Sequence, residues 1–339
     1  MNKDVESRNL LEVQDLSVSF LLPGREVRAV NGISYSIKKG ESMGLVGESG
    51  SGKSVEAYAV LGLLKPPAKI HRGNIRYEGK DILCLSKKEW ESFHGNEISM
   101  IFQNPIASLD PVFPIGKQME ETIRDHDKSI SRLSARRRSI EMLREVRIRN
   151  PEQVMKQYPY ELSGGMCQRI MIAIALLCKP KLLIADEPTT NLDVTIQSQV
   201  IQILKQLQRQ SGMALLYITH NFGIVAELCD SVSVMCGGYI LEQGQVEDIF
   251  YRAAHPYTKM LLQSIPHIDA FEEESSLFVD ESPANPVLFS DGCVFFPRCP
   301  FSVSQCSHRM PSATSLSLDH WARCWLLAQD GETGRKHYA

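Results

Sequence analysis

Apolar and polar residues alternate through Leu16, Val18 and Phe20, and again through Ile33, Tyr35 and Ile37, with turn formers at Pro23-Gly24, Asn31-Gly32 and Gly40. A period of two predicts half-buried strands, here an antiparallel pair leading into the segment that follows. From Met100 to Tyr160 the pattern becomes helix-like and rich in charge, with Pro105, Pro111, Pro114 and Pro151 as punctuation, which predicts an inserted helical subdomain over about residues 101–160. Within it, Lys128 to Arg149 carries Arg132, Arg136, Arg137, Arg138, Arg144, Arg147 and Arg149. That row is either a solvated helix face or a surface for lipid headgroups or a partner. Unbroken apolar runs return at Leu182 to Ala185 and Ala214 to Ile218, separated by a helical stretch around Val194 to Gln210. Strand, helix, strand predicts an α/β fold with a mostly parallel sheet covered by helices. Phe271 to Asp291, acidic and then rich in Ser, Pro and Asn, reads as a connector to a cysteine-rich tail, and no repeat of solenoid period is present.

Composition narrows the class. The chain has 339 residues, 43% of them hydrophobic, enough for one large domain or two modest ones with a real core. A formal net charge of -3 argues against nucleic acid as a partner, because counterion release needs a dense basic surface. The opening MNKDVESRNL lacks a secretory core, and the apolar run Ile170 to Cys178 is far shorter than the ~20 residues of a spanning helix. The expectation is a soluble intracellular chain that meets a membrane only through partners. Nine cysteines in that setting read as core thiols or metal ligands rather than disulfides.

The most specific chemistry lies at Gly47 to Ser54, which read GESGSGKS after the apolar pair Leu45-Val46. This is the phosphate-cradling pattern G-x-x-x-x-G-K-S in a strand-loop-helix context. Glycines let the backbone wrap close enough for successive N–H groups to face a polyphosphate, and the helix starting near Lys53 adds its positive end. Lys53 supplies a point charge for the outer phosphates, and the Ser54 hydroxyl is placed to ligate magnesium. Gly47, Glu48, Ser49, Gly50, Ser51, Gly52, Lys53, Ser54 and Val55 are therefore the expected loop contacts of a nucleoside triphosphate. Downstream, Leu183-Ile184-Ala185 ends in Asp186-Glu187. Asp186 is expected in the magnesium shell, and Glu187 beside a water aligned with the terminal phosphate.

Further motifs make a resemblance specific. Leu162-Ser163-Gly164-Gly165 with Gln168 and Arg169, ahead of the acidic strand end, resembles the signature of the ATP-binding-cassette (ABC) ATPases. Gln103 in IFQNP is similar to that family's Q-loop, Asn191-Leu192-Asp193 to its D-loop, and His220 in Tyr217-Ile218-Thr219-His220 to its switch histidine. The resemblance spans Leu11 to about Ile265. It implies a P-loop NTPase cassette: a RecA-like parallel core, an antiparallel β-subdomain and a helical subdomain. It also implies that Ser163, Gly164 and Gly165, at the start of an apolar helix, cap ATP held by a second, homologous ATPase subunit in a head-to-tail dimer. Gln103 is then expected to sense magnesium and the attacking water, His220 to contact the terminal phosphate with Glu187, Asp193 to sit at the nucleotide interface, and Phe20 to stack on adenine. Asn104, Cys167, Asn191 and Asn221 depart from the commonest family strings, and Val55 offers only its backbone to the α-phosphate. None of these removes a catalytic group.

His255-Pro256-Tyr257-Thr258 with the Leu261-Leu262 helix resembles the linker of the oligopeptide, dipeptide and nickel importer ATPases, so residues 1–265 are expected to form the cassette and 266–339 the extension. Arg298-Cys299-Pro300 resembles the core of that subfamily's tail, where Cys293, Cys299, Cys306 and Cys324 are implied ligands of a four-iron four-sulfur cluster. Zinc, or packing without metal, are the other readings of these thiols. Cys84, Cys167, Cys178, Cys229 and Cys236 lie in or beside apolar segments and are expected to be inert. The subfamily implies a heterodimeric ATPase under two membrane-spanning permease subunits, on the cytoplasmic face of the inner membrane, with an external binding protein delivering peptide. Nickel or another small solute is the alternative cargo. A non-transport ABC ATPase is disfavoured because the chain has neither a second cassette nor an interrupting coiled coil.

Overall fold

The computed structural model describes residues 9–190, 192–264 and 291–329. These fall into two compact units. One contains Ile37–Ser42 and Tyr77–Ile218 with the start of the opening strand; the other contains Glu12–Ser36, Met43–Arg76 and the described chain from Thr219 onward.

In the first unit the strands Ile98–Ile101, Leu182–Asp186 and Ala214–Thr219 run parallel, with Leu182–Asp186 in the middle. Leu182 pairs with Ile98 on one side and Ala214 on the other. Every residue of Leu182–Asp186 and Ala214–Thr219 is buried, which explains their unbroken apolar runs: strands covered on both faces do not alternate. Helices supply part of that cover. Val194–Ser211 buries Val200, Ile201, Ile203, Leu204 and Leu207, a stripe at helical spacing, and stops at Gly212 in the left-handed conformation.

The helical insertion begins later than its charge pattern predicts. Met100 and Ile101 belong to the strand Ile98–Ile101, and the first helix starts at Pro105. A four-residue strand is too short to register against charged neighbours. The helix Ile115–His126 follows, burying Ile115, Met119 and Ile123 on one face, and then Arg132–Glu145. Its arginines are not simply a solvated row. Arg132 and Arg136 both reach Glu120, at 3.5 and 3.4 Å, Arg138 donates to the Leu177 carbonyl, and Arg144 pairs with Glu152.

In the second unit, Asn9–Leu22 lies between Arg25–Lys38 and Ala68–Tyr77. The Pro23-Gly24 turn makes the first two an antiparallel hairpin. A further run of strands in this unit joins Ser42–Val46 in parallel to Ser231–Cys236, with Met43 beside Ser231 and Val46 beside Val234. It then continues antiparallel, within a sheet that is mostly parallel, as expected. Gly237 and Gly238, at φ +52° and +84°, reverse the chain into Tyr239–Gln245, because a two-residue turn can return only an antiparallel neighbour. The short strands Trp321–Ala322 and Thr314–Ser315 extend the edge, so the C-terminal segment adds to this sheet.

A buried carboxylate secures that addition. Glu242 accepts from the amides of Ala254 and His255, at 2.7 and 3.0 Å, and bonds His320 Nε2 at 2.8 Å. Burial alone would raise its pKa, but these bonds, that with His320 foremost, outweigh it and leave the group below its ordinary value. Among the described residues no helix is long and apolar enough to cross a membrane.

Candidate functional site

The buried strand Ser42–Val46 delivers the chain into the glycine loop, and the helix Lys53–Val60 leaves it. Two glycines are required by their surroundings. A Cβ on Gly47 would lie 2.0 Å from the Met235 carbonyl oxygen, and one on Gly52, at φ +102°, would lie 2.3 Å from that of Ala29. Gly238 N–H donates to the Ser51 carbonyl at 2.9 Å and accepts at its own carbonyl from Asn31 N–H at 2.8 Å, which fixes the floor of the loop from two distant segments. The Lys53 ammonium is buried, donating to the carbonyls of Gly47 and Glu48 at 2.8 and 2.9 Å and to Ser51 Oγ at 3.3 Å. Its charge is thus centred in the loop before any phosphate is considered. Ser54 and Val55 begin the helix, both half-buried, and Ser49 and Gly50 form an exposed tip.

In the other unit, Asp186 ends the central strand with 2% of its surface exposed, and Glu187 follows at φ +44°. A non-glycine residue there holds a conformation that L-residues seldom adopt, a strain that requires support. The support is visible. Glu187 N–H donates to the Ile218 carbonyl at 2.9 Å, while Glu187 Oε2 accepts from Gln103 Nε2 at 3.1 Å and Thr190 Oγ1 at 2.9 Å. The structure therefore brings Gln103 to the carboxylate itself. Thr190 was not anticipated from the sequence, although a hydroxyl three residues beyond an acid at a strand end is a readable signal for such a bond.

Ser163 caps the helix Gly164–Leu176, its Oγ accepting from Met166 N–H at 3.4 Å. A Cβ on Gly164 would meet nothing within 4 Å, so neither its neighbours in this chain nor a positive φ demands glycine there. Asp193 caps Val194–Ser211 by accepting from Ile196 N–H at 2.9 Å, while Asn191 lies outside the described residues. His220 follows Ala214–Thr219 and is exposed; Phe20 is half-buried on Asn9–Leu22. Departures from the family strings have local roles. Asn104 accepts from the amides of Ile106 and Ala107, Asn221 accepts from Gly223 N–H, and the Cys167 thiol donates to the Pro159 carbonyl.

All nine cysteines are free. Cys293, Cys299, Cys306 and Cys324 line one small apolar pocket with His255, Phe295, Phe301 and Trp325. Burial pushes the Cys293 thiol up to about 11, with smaller contributions from Cys306, Cys324 and Cys299 that mark the four as neighbours. Among the described residues, no group of three or more His, Cys, Asp or Glu side chains is placed to hold a metal ion. Cys229 and Cys236 are buried with raised pKa values, as inert thiols should be, whereas Cys84 is exposed.

Comparison with known proteins gives these sites a context. Residues 30–190 match the family described as ABC transporter, and residues 241–306 match the oligopeptide/dipeptide transporter C-terminal region. The oligopeptide transport ATP-binding protein OppD of Bacillus subtilis (strain 168) is 44% identical over 322 residues, covering 95% of this chain and 90% of the relative. The dipeptide transport ATP-binding protein DppD of the same organism is 45% identical over 326 residues, covering 95% and 96%. Among solved structures, the ATP-binding cassette MJ0796, a dimer in a post-hydrolysis state bound to ADP and Pi, aligns with a TM-score of 0.63 at 23% identity, covering 70% of this chain and 98% of that one.

Proposed function

This chain belongs to the ABC transporter family, in its oligopeptide and dipeptide transport branch, and from that premise we propose that it hydrolyses ATP to power import of di- and oligopeptides. The observation that carries the hydrolytic part is Glu187, strained at the end of a buried strand and bonded by Gln103 and Thr190. A carboxylate held in one orientation is suited to accept a proton from a water in line with the terminal phosphate. Gln103 donates to Oε2, so it orients the acid. His220 contacts the terminal phosphate in this reading, and Phe20 the adenine.

Ser54 and Asp186 offer the hard oxygen donors that magnesium prefers, and the metal supplies neutralisation of phosphate charge. The loop contributes the amides of residues 48–55 and the Lys53 ammonium. Gly164 supports the dimeric part of the reading: its missing side chain leaves space above a capped helix start where a second ATPase subunit's triphosphate can approach Ser163, Gly164 and Gly165. Asp193 opens the next helix in that interface. Two permease subunits would carry the peptide across the membrane, with this chain peripheral on the cytoplasmic face and a binding protein presenting cargo outside.

The four tail thiols are the donor type that a four-iron four-sulfur cluster takes and they share one pocket, but no three of them are placed to hold a metal, so a cluster would require them to draw together. Such a group would supply a covalent crosslink to a segment with little core of its own. Iron and sulfide analysis of anaerobically prepared protein tests this part.

The function is tested with the ATPase pair and permeases reconstituted in vesicles. Peptide delivered with its binding protein should accelerate ATP hydrolysis and accumulate inside. Hydrolysis that ignores peptide, with no uptake, would reject the transport reading.

A further inference from the structure

Glu48, the second residue of the glycine loop, is held at three points by residues more than 200 positions away. Its amide donates to the Tyr257 hydroxyl at 3.1 Å. Its carboxylate accepts both guanidinium arms of Arg298, from Nη1 at 2.7 Å and Nη2 at 2.6 Å. The fork is sheltered, since the Arg298 side chain is only 11% exposed. Arg298 Nη2 also touches Met260 Sδ at 3.7 Å, and the guanidinium lies 5.7 Å from the Phe295 ring centre. Phe295 in turn packs against Tyr257, 5.2 Å between centres. Two parallel charge-assisted bonds fix direction as well as distance, and partial burial makes one partner costly to lose alone.

The clamp reaches the nucleotide site through the backbone. The Glu48 carbonyl accepts from Lys53 Nζ at 2.9 Å, so displacement of Glu48 moves an acceptor that centres the lysine. We propose that Arg298 and Tyr257 are positioning residues for the glycine loop, and that the C-terminal segment acts as a brace on which ATP affinity depends. This rests on the reading of Gly47 to Ser54 as the nucleotide loop. It assigns a task to the Arg298-Cys299-Pro300 and His255-Pro256-Tyr257-Thr258 sequences that does not require metal.

The test is equilibrium binding of MgATP to the full chain by calorimetry, with thermal melting on the same samples. Arg298→Ala should weaken binding about tenfold, and Arg298→Lys, which keeps the charge but loses the fork, by about threefold. Tyr257→Phe keeps the ring against Phe295 and removes only the hydroxyl, so its expected loss of about threefold at unchanged melting temperature separates positioning from folding. The exchange Glu48→Arg with Arg298→Glu should recover part of the affinity lost by either change alone. Wild-type affinity in Tyr257→Phe together with equal losses in Arg298→Lys and Arg298→Ala would overturn the brace. Should Lys53→Ala bind as tightly as wild type, the nucleotide-loop reading is at fault instead.

Discussion

Around the glycine loop, position is set by backbone and by residues far along the chain: Gly47 lies under the Met235 carbonyl, Gly52 under that of Ala29, and Glu48 in the grip of Arg298 and Tyr257. Around Glu187, position is set by side chains on a strained residue, with Gln103 and Thr190 on one carboxylate oxygen and the Ile218 carbonyl on the amide. The loop therefore tolerates little change in backbone, and its one acid, Glu48, is committed to Arg298. The strand end offers the acid, and side-chain bonds to its carboxylate help hold it. Binding and hydrolysis should accordingly be separable by mutation.

The largest separation is expected at the acid. Glu187→Gln keeps size and hydrogen-bonding capacity but removes the proton acceptor, so turnover by the assembled complex should fall by about 10²–10⁴ with ATP affinity within about threefold of wild type. Gly47→Ala should do the opposite. Its Cβ would meet the Met235 carbonyl oxygen at 2.0 Å, and because both partners are backbone the loop must shift, weakening ATP on the order of a hundredfold in the same calorimetric assay.

How much of this was legible in the sequence follows the same division. The loop, the acidic pair and the signature are contiguous strings whose residue types state their chemistry, and the apolar runs at Leu182 to Ala185 and Ala214 to Ile218 gave both inner strands. What the strings could not show is who holds them. Arg298 and Glu48 are 250 positions apart, and no periodicity links them. The antiparallel return through Gly237-Gly238 and the strand Ile98–Ile101 were missed because a tight turn and a four-residue strand leave little pattern. Glu187's positive φ is invisible in a residue type that rarely adopts it.

A smaller effect concerns the pH dependence of stability. Burial holds the His255 imidazole neutral, lowering its pKa from 6.5 to about 4, while its Nδ1 accepts from Tyr257 N–H at 3.0 Å. Unfolded chains bind that proton below pH 6.5 and the folded chain does not, so stability is full above 6.5 and falls as pH drops towards 4. The expected loss is about 3 kcal/mol, read from denaturant midpoints. His255→Asn retains a cap for Tyr257 N–H and should flatten the dependence across that window. Smallest is Thr190→Val, which removes one bond to Glu187 Oε2 and leaves Gln103; turnover should drop about three- to tenfold at unchanged affinity. A loss matching that of Glu187→Gln would make Thr190 part of the chemistry rather than a support.

The claim that loop and acid divide binding from hydrolysis is tested most directly by loading the Glu187→Gln complex with radiolabelled MgATP, removing free nucleotide, and identifying what remains bound over time. The account predicts bound nucleotide recovered as ATP long after wild type has converted it to ADP. Conversion to ADP at the wild-type rate would contradict it.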